Sequence, residues 1–231
     1  MDVVSPLVKI CGLTSVTDAL SAAKAGANWL GLNFHRPSPR FVDEPTARTI
    51  VEVLPTGVEA VGLFVNRETR YILETARRVG FRIVQLHGDE PAEDVRALQD
   101  AGFQVVRAFR IGDASAIARM VVWLLQAEDL GGKPDAVLVD AFVASAPGGT
   151  GHSISDNLLD LLPPRTEISP LGIVGISRLI LAGGLTPENV TARIQRVRPW
   201  MVDTASGVES APGRKDFDQM SAFIQAVQTK P

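Results

Sequence analysis

Val8-Lys9-Ile10-Cys11-Gly12-Leu13-Thr14 is the stretch from which the fold can be read. A short β-type run delivers a cysteine, the only one in the chain, and a glycine turns the backbone at once. Thr14 then stands where it can cap a helix whose apolar positions begin at Val16, Ala19 and Leu20. A strand that ends in a reactive side chain and turns directly into a helix is how a parallel α/β sheet presents chemistry at its carboxyl edge. Such a fold requires further strands that end in the same way.

Working outward, eight short apolar runs are found, at 7–11, 29–34, 60–66, 82–87, 104–109, 136–140, 179–183 and 201–204. They are rich in Val, Ile and Leu and lack strict polar alternation, as expected of strands covered on both faces. Amphipathic segments separate most of them, and several end in a chemically useful side chain: Cys11, Asn33, Asn66, His87, Asp140 and Asp203. Eightfold strand–helix alternation predicts a closed parallel (β/α)8 barrel, and 231 residues suit one such unit of about 250. No stretch has the composition of a linker, so a single domain over 1–231 is expected.

Local signals agree. Ala25-Gly26-Ala27, Val79-Gly80-Phe81 and Ala101-Gly102-Phe103 each close a helical pattern and open a strand, with glycine supplying the left-handed helix end. Asp43-Glu44-Pro45, Gly88-Asp89-Glu90-Pro91 and Thr186-Pro187-Glu188 read as capped helix starts. Leu130-Gly131-Gly132-Lys133-Pro134 breaks a helix before the sixth strand. A short helical stretch is expected at 155–162, and 165–177 reads as a surface insertion.

Composition narrows the function. A formal charge of −3 and a pI near 5.7 give no electrostatic footprint for nucleic acid or an anionic membrane. One cysteine cannot make an internal disulfide, and no cysteine–histidine cluster has metal-ligand spacing, so no metal is expected and a reducing, cytoplasmic setting fits. The N-terminal residues read as neither a signal peptide nor a membrane span.

Candidate chemistry collects at the strand ends. Gly183-Gly184 after the seventh strand and Ser206-Gly207 after the eighth occupy the positions where barrels hold phosphate, and Gly148-Gly149-Thr150-Gly151 could form a third wall. Cys11 and Asp140 are the candidate acid–base pair, one at the first strand end and one at the sixth. The bland alternatives are a buried small hydrophobe for Cys11 and a loop-anchoring carboxylate for Asp140. Asp203 could orient a substrate hydroxyl or tie down its own loop. Arg36 and Arg40 lie in a loop stiffened by Pro37 and Pro39, which suits a fixed fork for a carboxylate, although two solvated arginines would read the same. His87 could serve the pocket or a neighbouring loop.

Seven segments, taken together, resemble the phosphoribosylanthranilate isomerase family: 8–14, Ser-Pro-Arg-Phe-Val at 38–42, Val-Gly-Leu-Phe-Val-Asn at 61–66, Val-Gln-Leu-His-Gly-Asp-Glu at 84–90, Pro-Gly-Gly-Thr-Gly at 147–151, 181–190 and 203–216. The resemblance implies a TIM barrel of the ribulose-phosphate-binding type. It further implies a cofactor-free Amadori rearrangement of N-(5-phosphoribosyl)anthranilate in tryptophan biosynthesis. Carried over by position, it implies Cys11 as general base, Asp140 as general acid and Arg40 as the partner of the anthranilate carboxylate. Gly149, Gly183, Gly184, Ser206 and Gly207 would hold phosphate, with His87 and Asp203 at the pocket. The implied partner is a small phosphorylated substrate, on a monomer or homodimer. Two features depart from the family pattern: His152-Ser153-Ile154 replaces a Phe-Asp-Trp-like helix start, and Ala205 replaces a frequent serine. Two other readings share the residues, an isomerase of a different aminated sugar phosphate and a non-catalytic phosphate-binding barrel.

Overall fold

The computed structural model describes residues 5–141, 153–163 and 175–229. Its parallel strands are β1 (Leu7–Cys11), β2 (Trp29–Asn33), β3 (Glu59–Phe64), β4 (Ile83–Leu86), β5 (Gln104–Ile111), β6 (Ala136–Ala141), β7 (Leu179–Leu181) and β8 (Met201–Thr204). They hydrogen-bond in sequence order, and β8 pairs back onto β1 to close the barrel. The first and last expected runs match end to end, and the other six differ by no more than two residues at either end.

Helices α1 (Val16–Ala25), α2 (Glu44–Glu52), α3 (Thr69–Val79), α4 (Ala92–Asp100), α5 (Ala114–Asp129), α6 (Asp156–Leu159), α7 (Val190–Val197) and α8 (Phe217–Gln228) alternate with and follow the strands. A small hairpin, β9 (Glu209–Ala211) and β10 (Arg214–Lys215), precedes α8. The glycine-closed corners are as expected, with Gly26, Gly80 and Gly102 all at positive φ. Asp43 caps α2 as expected, its carboxylate accepting from the Thr46 N–H.

Other expected caps are corrected. Ser15, not Thr14, caps α1: its extended backbone lets its hydroxyl accept from the Asp18 N–H. Thr14 instead donates to the Gly213 carbonyl at 2.6 Å, tying the β1 turn to the hairpin. Helix α4 has no side-chain cap, because Glu90 is turned inward to accept from the N–H groups of Asn66 and Gly88. Asn66, expected as a functional strand end, has the structural task of accepting from the Asp89 N–H. The turn before α7 is closed by Asn189, which accepts from the Thr186 N–H and donates to the Gly184 carbonyl. Residues 165–174 of the expected insertion lie outside the described residues.

Strand parity sorts the apolar side chains into two shells. Val8 and Ile10 join the core between barrel and helices, whereas Val61, Ile83, Val106, Leu138, Ile180 and Met201 pack in the lumen. Trp29 and Trp200 meet edge to face at 5.4 Å among the partly buried residues that pack on this lumen cluster. Fully burying a side chain such as Ile10 contributes about 1.5–3 kcal/mol. Toward the carboxyl ends of the strands the lumen changes character: Lys9, Gln85 and Asp203 are polar and buried there. Among the described residues, no helix is long and apolar enough to cross a membrane.

Candidate active site

The carboxyl ends of the strands open into one pocket. Cys11 enters it from β1, Asn33 from β2, His87 from just beyond β4, Asp140 from β6 and Asp203 from β8. Gly183, Gly184 and Ser206 line it from the loops after β7 and β8, and Arg40 lines it from the loop after β2. Arg36 is not among the lining residues; its guanidinium sits 5.5 Å from the centroid of the Phe41 ring. Gly149 lies outside the described residues.

At the thiol side, Lys9 stands two residues below Cys11 on the same strand face and is only 1% exposed. Its ammonium meets Asp203 Oδ1 at 3.0 Å, across the β1–β8 pairing that sets Lys9 opposite Asp203. Gly31, paired with Cys11 on β2, makes room: a Cβ there would stand 2.6 Å from the Cys11 sulfur and 3.1 Å from the Lys9 nitrogen. Burial pulls the Lys9 pKa down, but Asp203 and then Cys11 more than offset it, so the ammonium stays charged. Burial pushes the Cys11 thiol up, and the opposing pull of Lys9 does not cancel that push.

At the carboxyl side, Asp140 Oδ2 lies 3.5 Å from His87 Nε2, and both side chains are partly open to the pocket. The Gln85 amide lies 2.8 Å from His87 Nδ1, a contact that turns the other ring nitrogen, Nε2, toward Asp140. Gly183 adopts φ +87°, and a Cβ there would stand 2.5 Å from the Ala141 nitrogen and 3.1 Å from Asp140 Oδ1. Only glycine lets the loop after β7 pass so close to the acid.

The two glycine loops are stapled to each other. Thr204 Oγ1 donates to the Leu185 carbonyl at 2.8 Å, and a Cβ on Gly207 would stand 1.9 Å from that same oxygen. Gly207 thus supports the turn behind Ser206 and is itself absent from the pocket lining. Lys215 Nζ donates to the Ala205 carbonyl at 2.8 Å and to Glu209 Oε1 at 2.8 Å. Glu209 in turn receives a two-pronged bond from Arg40, Nε at 2.9 Å and Nη2 at 2.7 Å. Burial pushes the Glu209 carboxyl up, but Arg40 and Lys215 outweigh it and hold it below the usual range as a carboxylate. Arg40 keeps donors on Nη1 for a ligand, since a guanidinium carries five N–H groups.

Sequence reading missed Lys9, Gln85, His35, Arg110 and Glu209. For Lys9 and Gln85 the signal was a polar residue in lumen parity inside an apolar run. His35 and Arg110 also line the pocket. Burial and the nearby Arg67 and Arg110 charges lower the pKa of His35, keeping its ring neutral. Glu209 sits in a hairpin that no periodicity announces. Among the described residues, no group of three or more His, Cys, Asp or Glu could hold a metal ion.

The family model for N-(5'-phosphoribosyl)anthranilate (PRA) isomerase matches residues 8–226. An N-(5'-phosphoribosyl)anthranilate isomerase of Chlorobaculum parvum is 42% identical over 221 residues, covering 96% of this chain and 94% of that protein. The crystal structure of phosphoribosyl anthranilate isomerase from Thermotoga maritima aligns with a TM-score of 0.80 at 32% identity, covering 96% of this chain and 98% of that one. Another structure of such an enzyme, in complex with reduced 1-(o-carboxyphenylamino)-1-deoxyribulose 5-phosphate, aligns with a TM-score of 0.76 at 33% identity, covering the same shares.

Proposed function

The chain belongs to the N-(5'-phosphoribosyl)anthranilate (PRA) isomerase family, and on that premise we propose that it rearranges N-(5'-phosphoribosyl)anthranilate to the 1-deoxyribulose 5-phosphate derivative in tryptophan biosynthesis, with Asp140 as general acid and Cys11 as general base. Asp140 protonates the ring oxygen as the C1–O bond breaks, and the anilino nitrogen supplies the electron pair that forms the C1=N bond. The Cys11 thiolate then removes the proton from C2, giving an enolamine. Tautomerisation of the enol moves a proton to C1 and leaves a ketone at C2. Every atom of the substrate is retained, so neither hydride carrier nor metal enters the balance.

The observation that carries this reading is that a thiol from β1 and a carboxyl from β6 line one pocket, with the glycine loops after β7 and β8 on its wall. Loops after those two strands commonly hold phosphate in barrels, through converging backbone N–H groups. Arg40 meets the anthranilate carboxylate with the donors that Glu209 leaves unused. His87 steadies the Asp140 carboxyl, and Asp203 acts from below the thiol. Since Cys11 must remain a free thiol, a reducing cytoplasm is the compartment that suits the enzyme. Conversion of N-(5'-phosphoribosyl)anthranilate by the purified chain, and growth of a tryptophan auxotroph lacking this isomerase when the chain is supplied, test the reading. Absence of both from a folded protein would overturn it.

Glu209→Gln is expected to raise KM for this substrate about ten- to hundred-fold with little change in kcat. The substitution removes the charge that fixes the Arg40 fork, and hydrogen bonds to charged groups are worth about 1.5–3 kcal/mol. Steady-state kinetics check this. A fall in kcat at unchanged KM would place Glu209 in the chemistry instead.

A further inference from the structure

Lys9 is an expensive residue to keep where it is. Burying a charged group away from water costs several kcal/mol unless a partner offsets it, and an apolar side chain would fill that lumen position without the cost. Much of the lumen follows that apolar rule, with Ala108 on β5, Leu138 on β6 and Ala182 just after β7 all buried, while Gln85 and Asp203 share the polar character of Lys9. Lys9 spends one of its three donors on Asp203, at 3.0 Å, and its ammonium lies beside the Cys11 sulfur, a single Cβ position on Gly31 falling 3.1 Å from one and 2.6 Å from the other. Gly31 is bare beneath both atoms, since its missing Cβ would collide with sulfur and ammonium alike. Lysine, aspartate and thiol thus form one buried cluster at the pocket floor, Cys11 and Asp203 lining the pocket and Lys9 beneath them, spanning β8, β1 and the gap that β2 leaves.

We propose that Lys9 is the positioning residue that makes Cys11 usable as a base, its ammonium stabilising the thiolate while Asp203 anchors the ammonium and moderates its pull. The inference rests on the assignment of Cys11 as general base and adds to it. A thiol can accept the C2 proton only after losing its own, and a desolvated sulfur resists doing so. Burial is the largest influence on the Cys11 thiol, and Lys9 is the largest one opposing it. The other charged groups near the sulfur are Asp203 from β8, which opposes ionisation, and Lys215 from β10, which favours it. Arg40, whose side-chain stem packs over Gly12, adds a further positive group already paired with Glu209, and Asp140 from β6 acts on Asp203.

The proposal predicts shifts of opposite sign. Cys11 is the chain's only cysteine, so the ultraviolet absorbance of the thiolate, read as the difference from Cys11→Ala to remove the Tyr71 phenolate, titrates this one group without any turnover. Lys9→Met should raise the midpoint of that titration by about one to three pH units, and Asp203→Asn should lower it. The ascending limb of the kcat/KM profile should move with each midpoint. Should Lys9→Met alone fail to fold, Lys9→Met is made in the Asp203→Asn background, where no unpaired charge is left buried, and it must raise the midpoint relative to Asp203→Asn. A midpoint unmoved by Lys9→Met, or moved the same way by both substitutions, would overturn the proposal. Failure of the underlying base assignment reads differently: Cys11→Ala would then keep its turnover, whatever the titrations show.

Discussion

Cys11→Ala is expected to lose about 10²- to 10⁴-fold in kcat while KM stays within a few-fold of the parent value. In the proposed mechanism the thiolate acts on a C–H bond in the transition state, whereas the phosphate loops, Arg40 and the pocket wall bind substrate and transition state alike. The fold should be spared, because Gly31 already leaves room beside the sulfur and removing that one atom leaves only a small void. The intact enzyme should also show its kcat/KM rising with pH. Burial keeps the Cys11 pKa above the ordinary thiol value, so the reactive thiolate fraction grows as pH climbs toward it. Near-parental kcat in the alanine variant, or a kcat/KM that falls with pH across the same range, would show that the sulfur is not the base.

Asp140→Asn is expected to cost about the same, 10²- to 10⁴-fold in kcat, for the complementary reason. An amide of nearly the same shape fills the site and can still contact His87, but it has no acidic proton to give the ring oxygen. Ring opening should then become rate-limiting. A substrate whose ring is already open, such as the Schiff-base form generated chemically, should therefore be processed far better by Asp140→Asn than by Cys11→Ala. Equal impairment of both variants on the opened form would contradict the division of labour between the two residues. Single-turnover kinetics on both forms make the comparison.

The barrel was legible because its punctuation is local. Each strand is a short apolar run bounded by glycine, proline or a capping residue, and Cys11-Gly12 or Gly26-Ala27 can be read without knowing what lies across the fold. Strand-end placement carried the site in the same way: Cys11, His87, Asp140, Gly183, Gly184, Asp203 and Ser206 all line one pocket. What stayed hidden depends on contacts between distant residues. Arg40 and Glu209 are 169 residues apart, and nothing in the loop that carries the arginine announces that its fork is already engaged. Thr14 and Ser15 are equally good caps by composition, and tertiary contact with Gly213 decided between them. Lys9 was visible as a charge inside an apolar strand, but its meaning required the β1–β8 register that sets it against Asp203.

The most direct measurement is the structure of this chain with the reduced product analogue bound. The account predicts the Cys11 sulfur within about 3.5 Å of sugar C2, the Asp140 carboxyl against the former ring oxygen on the opposite side of the ribose chain, and phosphate seated at Gly184 and Ser206. An analogue held by the same phosphate loops with its C2 turned away from the sulfur, or with thiol and carboxyl both against one end of the sugar, would contradict it.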